Sequence, residues 1–161
     1  MALAAYLYGQ SLIRKVAAVL LLLGAIALAI PPTNTSDQTG SSRALADGQI
    51  AWSAATLDDH LNRGDPIFVD VTADWCITCL ANEAAVLFTT EVEQAFVSAD
   101  IPYMIADWTD YDSDIGAFVK SHGRSGIPLY VMYPRGKGSE PIILPQLLTR
   151  DIVLNAIEKA R

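Results

Sequence analysis

The chain has two cysteines, Cys76 and Cys79, separated by Ile77-Thr78. This spacing serves half of a zinc site, two packed thiols, or a disulfide that opens and closes. The setting favours the third. A run dense in β-forming residues, Pro66 to Thr72, ends just before the pair, and a helix-forming stretch begins at Cys76. Cys76 therefore sits at a helix N-terminus, where unpaired backbone N–H groups and a partial positive charge stabilise a thiolate. The second sulfur lies one turn on, near enough to close a disulfide. Cys76 is then the exposed attacking nucleophile. Cys79 is the more buried thiol that resolves the mixed disulfide. A structural zinc site lacks its other ligands, because His60 and His122 lie far apart in different local patterns. Two cysteines are also too few to scaffold a fold.

Asp70 lies inside the preceding run, six residues before Cys76. An acid in the middle of such a strand is either exposed at a sheet edge or, the favoured reading, buried, and burial favours the protonated form. Asp70 is thus a candidate to take the proton of Cys79 as that thiol attacks. Asp74 and Glu83 also flank the motif, and negative charge there raises a cysteine pKa. Trp75 offers either a shield and flat contact surface for the sulfur or a plain packing side chain. Pro128, in Gly126-Ile127-Pro128, is out of place in a strand unless it starts the strand or follows a cis bond. Asp107, Asp110, Asp112 and Asp114 cluster around Trp108 and Tyr111. They lack the glycine and terminal glutamate of a calcium loop and read as a solvated, helix-capping face.

The elements that must position these residues follow from periodicity and punctuation. Ile50 to Trp52 reads as a short edge strand. Ser53 or Thr56 caps a helix to about Leu61, ended by Gly64. Pro66–Thr72 is a central strand, and the helix from Cys76 runs to about Phe88. Thr89 or Thr90 caps a short helix over Val92–Ser98. Ile101–Asp107 is a strand, Tyr111–His122 a helix closed by Gly123, and Pro128–Tyr133 a strand. After a glycine-rich turn, Pro141–Leu144 is a short strand. Thr149 caps a last helix through about Ala160, with Ile152, Val153, Ala156 and Ile157 inward. Helices alternate with strands, and a hairpin and a helix finish the chain. That order predicts an α/β fold, a mixed central sheet with helices on both faces.

Of the 161 residues, 52% are hydrophobic and the net charge is -7. The excess is concentrated in residues 1–30, whose only charges are Arg14 and Lys15. The remainder is acidic, which excludes a nucleic-acid surface of clustered Lys and Arg. Neither a GxGxxG nor a GxxxxGK[ST] pattern occurs, so no nucleotide cofactor is expected. Val16 to Ile30 carries no polar side chain and stops at Pro31-Pro32. It falls slightly short of the ~17–25 residues of a membrane helix, but snorkelling by Arg14 and Lys15 lets Leu12 and Ile13 contribute. A cleaved signal peptide, with Ala27-Leu28-Ala29 as its small-residue end, is the alternative. A buried helix of a small domain fits less well, because every face is apolar. The first two readings place the rest of the chain outside the cytoplasm, where disulfides are permitted. The expected organisation is a membrane segment over 1–30, a flexible linker over 31–47 and a folded domain over 48–161.

Residues 66–133 resemble the C-terminal thioredoxin-like domain of the DsbD/ScsB type of transmembrane protein-disulfide reductase. The matching stretches are FVDVTADWCITC at 68–79, IADWT at 105–109 and GRSGIPLYVMYP at 123–134. The resemblance implies a thioredoxin-like fold, with residues 1–30 as the last transmembrane helix and the loop before it. By motif position it implies a redox-active Cys76–Cys79 disulfide, with Cys76 the nucleophile and Cys79 the resolving thiol. Asp70 takes the place of the buried acid, and Asp74 and Glu83 that of the acids tuning the nucleophile. Pro128 takes the place of the cis-proline facing the disulfide, with Ile127 and Trp75 on the partner-binding surface. Leu80 departs from the lysine found in many relatives. The implied donor is a cysteine pair in a membrane domain. The implied acceptors are an N-terminal extracytoplasmic domain or periplasmic thiol-disulfide proteins, and the location is the bacterial inner membrane with this domain in the periplasm. No cofactor or metal is implied. A tethered oxidase, isomerase or cytochrome-maturation reductase is the alternative within the fold. A static, non-enzymatic binding module is the alternative outside this chemistry.

Overall fold

The computed structural model describes residues 45, 46 and 48–161. The membrane segment expected over 1–30 and nearly all of the expected linker lie outside the described residues. Among the described residues, no helix is long and apolar enough to cross a membrane.

The elements are β1 (Gln49–Ala51), α1 (Ala54–Arg63), β2 (Ile67–Thr72), α2 (Ile77–Asn82), a π-helical turn (Glu83–Leu87), α3 (Thr90–Ala99), β3 (Tyr103–Asp107), α4 (Ser113–Ser121), β4 (Leu129–Tyr133), β5 (Ile142–Ile143) and α5 (Arg150–Ala160). The strands form one sheet in the order β1-β3-β2-β4-β5. β3 runs parallel to both β1 and β2, whereas β4 is antiparallel to β2 and β5. This is the expected mixed sheet, and β2, the strand that feeds the cysteines, has a partner on each side.

Local chemistry explains the boundaries. The Ser53 side chain accepts the N–H of Thr56 and starts α1; Gly64, at φ 76°, ends it in a left-handed turn that a side chain resists. Asp112 accepts the N–H groups of Asp114 and Ile115 and starts α4, while Thr149 caps α5 through the N–H of Ile152. Thr89 precedes α3 without a side-chain cap; its hydroxyl donates back to the carbonyl of Val86 instead.

Alternation along the strands divides the core in two. On one face Phe68, Tyr103, Ile105, Tyr130 and Met132 pack with residues of the π turn, α3 and α5. On the other, Ile67, Val69, Val71, Met104, Ala106, Leu129, Val131 and Tyr133 pack with α1 and α4. Asp70 and Thr72 alternate with the second set and so belong to the first face, beneath the cysteine helix.

The single helix expected from Cys76 to Phe88 is not a regular one. It changes after Asn82 into a π turn, and the N–H of Phe88 reaches the carbonyl of Glu83, five residues back. Wider turns of this kind collect at functional positions. Here the turn opens at Glu83, a buried side chain that accepts a hydrogen bond from the Thr72 hydroxyl.

Candidate active site

The site stands where β2 hands over to α2. Cys76 is the N-cap of α2, and Cys79 lies in its first turn. The two form a disulfide, with their Cα atoms 5.2 Å apart. The Cys79 N–H points at Cys76 Sγ, 3.3 Å away. Both residues are buried, Cys79 completely and Cys76 to 7% exposure. Cys76, the expected nucleophile, is therefore less open than its position in the sequence implies. Ala73 and Ile127 pack against the pair and cover it.

The loop that aims Cys76 is braced by Thr109. The Thr109 hydroxyl accepts the N–H of Asp74 at 3.0 Å, and its carbonyl accepts the indole N–H of Trp75 at 3.1 Å. Asp107 holds Thr109 in turn, accepting both its N–H and its hydroxyl. Asp107 thus braces a loop, and Asp112 caps a helix. No metal-binding group of His, Cys, Asp or Glu occurs among the described residues.

Trp75 is 45% exposed and stacks on Tyr111, with ring centroids 5.2 Å apart. Trp108 meets both rings and donates its indole N–H to the carbonyl of Asp112. Gly116 admits this ring, since a Cβ there would stand 3.3 Å from Trp108. The Ile127–Pro128 peptide bond is cis. Pro128 is buried, Ile127 lies against the disulfide, and the side chain of Gln146 reaches the Pro128 carbonyl. Ile77, Leu80 and Leu147 add exposed apolar surface.

Four polar residues of β2, α2 and the π turn are buried: Asp70, Thr72, Asn82 and Glu83. Asp70 is fully buried and its Oδ2 accepts the Tyr103 hydroxyl at 2.6 Å. Thr72 donates to Glu83 Oε1 at 2.6 Å. Asn82 donates to the Tyr130 hydroxyl and to the Gln146 carbonyl, and accepts the N–H of Leu148. It thereby ties α2 to β4 and to the segment before α5. Burial, and then the charge of Asp70, push the phenols of Tyr103 and Tyr130 well above the usual range, so both hydroxyls keep their protons. Asp74, by contrast, is exposed at the surface before Cys76.

Sequence reasoning missed Thr109, Tyr111, Asn82, Tyr103 and Tyr130. Asn82 left a trace, a polar residue in the otherwise apolar stripe of Cys79, Val86 and Leu87. The tyrosines left none, since a strand tyrosine reads as core.

A mixed sheet with helices on both faces, and a Cys-x-x-Cys disulfide at the mouth of the helix after its central strand, defines a thiol–disulfide exchange enzyme of thioredoxin type. Residues 49–134 match the thioredoxin-like family, and the chain belongs to it. Two curated proteins called thiol:disulfide interchange protein DsbD, from Neisseria meningitidis serogroups A and B, are each 30% identical over 116 residues. The match takes in 70% of this chain and 19% of each relative, so the chain spans about a fifth of their length. Among solved structures, the C-terminal domain of N. meningitidis DsbD in its reduced form is similar at a TM-score of 0.54 and 24% identity, over 70% of this chain and 100% of that one. A thioredoxin from Thermus thermophilus reaches 0.53 at 15% identity, over 69% and 85%. These two structural likenesses show the fold alone.

Proposed function

We propose that the chain is the electron-delivering domain of a membrane-anchored protein-disulfide reductase. The Cys76–Cys79 disulfide at the mouth of the helix after the central strand carries this reading, supported by the identity to interchange proteins named DsbD. Residues 1–30 supply a transmembrane segment, with Arg14 and Lys15 on the cytoplasmic side. Residues 31–47 tether the domain over 48–161, which works in the periplasm of a bacterium. A cysteine pair in a membrane domain reduces the disulfide. The domain then passes the electrons to an N-terminal extracytoplasmic domain or to periplasmic proteins.

In the delivering half-reaction the Cys76 thiolate attacks one sulfur of the partner disulfide. A Cys76–partner bond forms, and the other partner sulfur leaves as a thiolate. Cys79 then gives its proton to Asp70 and attacks Cys76 Sγ. The Cys76–Cys79 bond forms, the mixed disulfide breaks, and the second partner thiolate leaves and is protonated. Two electrons have passed from the dithiol to the partner. Asp74 and Glu83 raise the proton affinity of Cys76 when the pair is reduced, which keeps it a competent electron donor. Trp75, Ile127 and Pro128 form the surface on which the partner lies, and the backbone before Pro128 pairs with an extended partner segment.

The reduction potential of the pair tests the direction of flow. A value well below about −200 mV is expected, and one near −120 mV identifies an oxidant instead. Cys79→Ala should accumulate mixed disulfides through Cys76; a chain that traps none is a static module.

A further inference from the structure

Asp70 is a carboxylate enclosed in the core. A buried carboxylate needs donors to hold its charge and its direction. One is supplied from the neighbouring strand. Asp70 pairs with Ile105, so Tyr103, two residues earlier on β3, lies diagonally across on the same face. Its hydroxyl meets Asp70 Oδ2 at 2.6 Å, the short separation of a charge-assisted bond.

The rest of Tyr103 does not require that hydroxyl. Its ring sits edge-on to Phe68 and Phe96, at 5.1 and 5.3 Å, with Phe88 at 6.1 Å. A phenylalanine would satisfy these contacts equally well. The hydroxyl is the polar part of an otherwise apolar cage, and it is aimed at the acid.

We propose that Tyr103 is a positioning residue for the resolving step, its hydroxyl orienting the Asp70 carboxylate that takes the proton of Cys79. This rests on the role given to Asp70 above. The titratable groups that share this buried face with Asp70 include Tyr103 on β3, Tyr130 on β4 and Glu83 in the π turn. Both tyrosines keep their protons to high pH, so Tyr103 remains a donor throughout the working range. A donor to the ionised form lowers the proton affinity that burial raises. Tyr103 therefore opposes the effect of burial on Asp70.

The test is stopped-flow oxidation of the reduced 161-residue chain by a chromogenic aromatic disulfide, dithionitrobenzoate. The bimolecular phase, whose rate rises linearly with reagent, reports attack by Cys76, and the reagent-independent phase that follows reports closure by Cys79. Tyr103→Phe should move the pH midpoint of the closure phase upward by about one unit or more and leave the attack phase unchanged. Site-specific replacement of Tyr103 by 3-fluorotyrosine, a stronger donor, should move it the other way; this variant keeps the test open should Tyr103→Phe fold poorly. In an Asp70→Asn background, Tyr103→Phe should add no shift. An unchanged closure profile in Tyr103→Phe, when Asp70→Asn alters it, overturns the inference about Tyr103. An unchanged profile in Asp70→Asn overturns the role of Asp70 itself.

Discussion

The two faces of the central sheet are built from the same strands and do different work. One face is dry. Ile67, Val69 and Val71 of β2 meet Met104, Ala106, Leu129 and Val131, under α1 and α4. The other face carries Asp70 and Thr72 from the same strand, and it meets Tyr103, Tyr130, Asn82 and Glu83 under the cysteine helix. Period-two alternation lets one strand anchor an apolar face and a polar face at once. The difference teaches that burial on the cysteine side is not spent on stability alone. A buried acid left uncompensated costs the fold heavily, yet the site holds two, each with a hydroxyl donor.

Substitutions on the dry face should lower stability and leave the chemistry alone. Met104 is fully buried, and Met104→Ala should cost about 2–5 kcal/mol in denaturant unfolding while the reduction potential stays unchanged. A shifted potential would show that the faces are coupled and would break the comparison.

A smaller loss of stability, with a larger effect on exchange, is expected from Asn82→Ala. The change leaves the Tyr130 hydroxyl, the Gln146 carbonyl and the Leu148 N–H without their partner. It should cost about 1–3 kcal/mol and slow partner reduction, because it frees the segment that reaches Pro128. Insulin-reduction rates read beside the unfolding midpoint separate the two effects.

The smallest effect is a matter of alkaline stability. Tyr103 and Tyr130 on the polar face have strongly raised pKa values, chiefly from burial. On the dry face, burial and then the charge of Asp58 push Tyr133 up to about 12. A tyrosine raised in the folded state is protonated there while the unfolded chain loses its proton. Its contribution is thus fully present below about pH 10 and is lost as pH rises through the folded value. Stability should fall between about pH 10 and 12. Tyr103→Phe and Tyr133→Phe should each flatten that slope by a similar amount, and the Tyr103 contribution should go on falling above the window where that of Tyr133 has ended; a Tyr103 contribution that ends with that of Tyr133 would remove the contrast between the faces.

Much of the site was legible because it is local. Strand, Cys-x-x-Cys and helix are contiguous in sequence. The caps at Ser53, Asp112 and Thr149 act within two or three residues of themselves. The acid inside β2 showed itself by breaking an apolar run, and β2 is central, buried on both faces. The π turn was not legible, since its residues carry good helix formers and the widening depends on what Glu83 meets across the sheet.

The sequence by itself therefore determined that Cys76 and Cys79 stand together at a helix mouth and that β2 is a central strand with an acid inside it. Only the tertiary structure decided what surrounds that acid. Tyr103 lies 33 residues away and Asn82 lies 48 from Tyr130. Periodicity states which way a side chain points, but the register between strands states what it points at. Here the pairing of Asp70 with Ile105 on one side and with Tyr130 on the other set that register. Strand register is a property of the packed sheet, fixed by how the two cores fill, and no single segment encodes it.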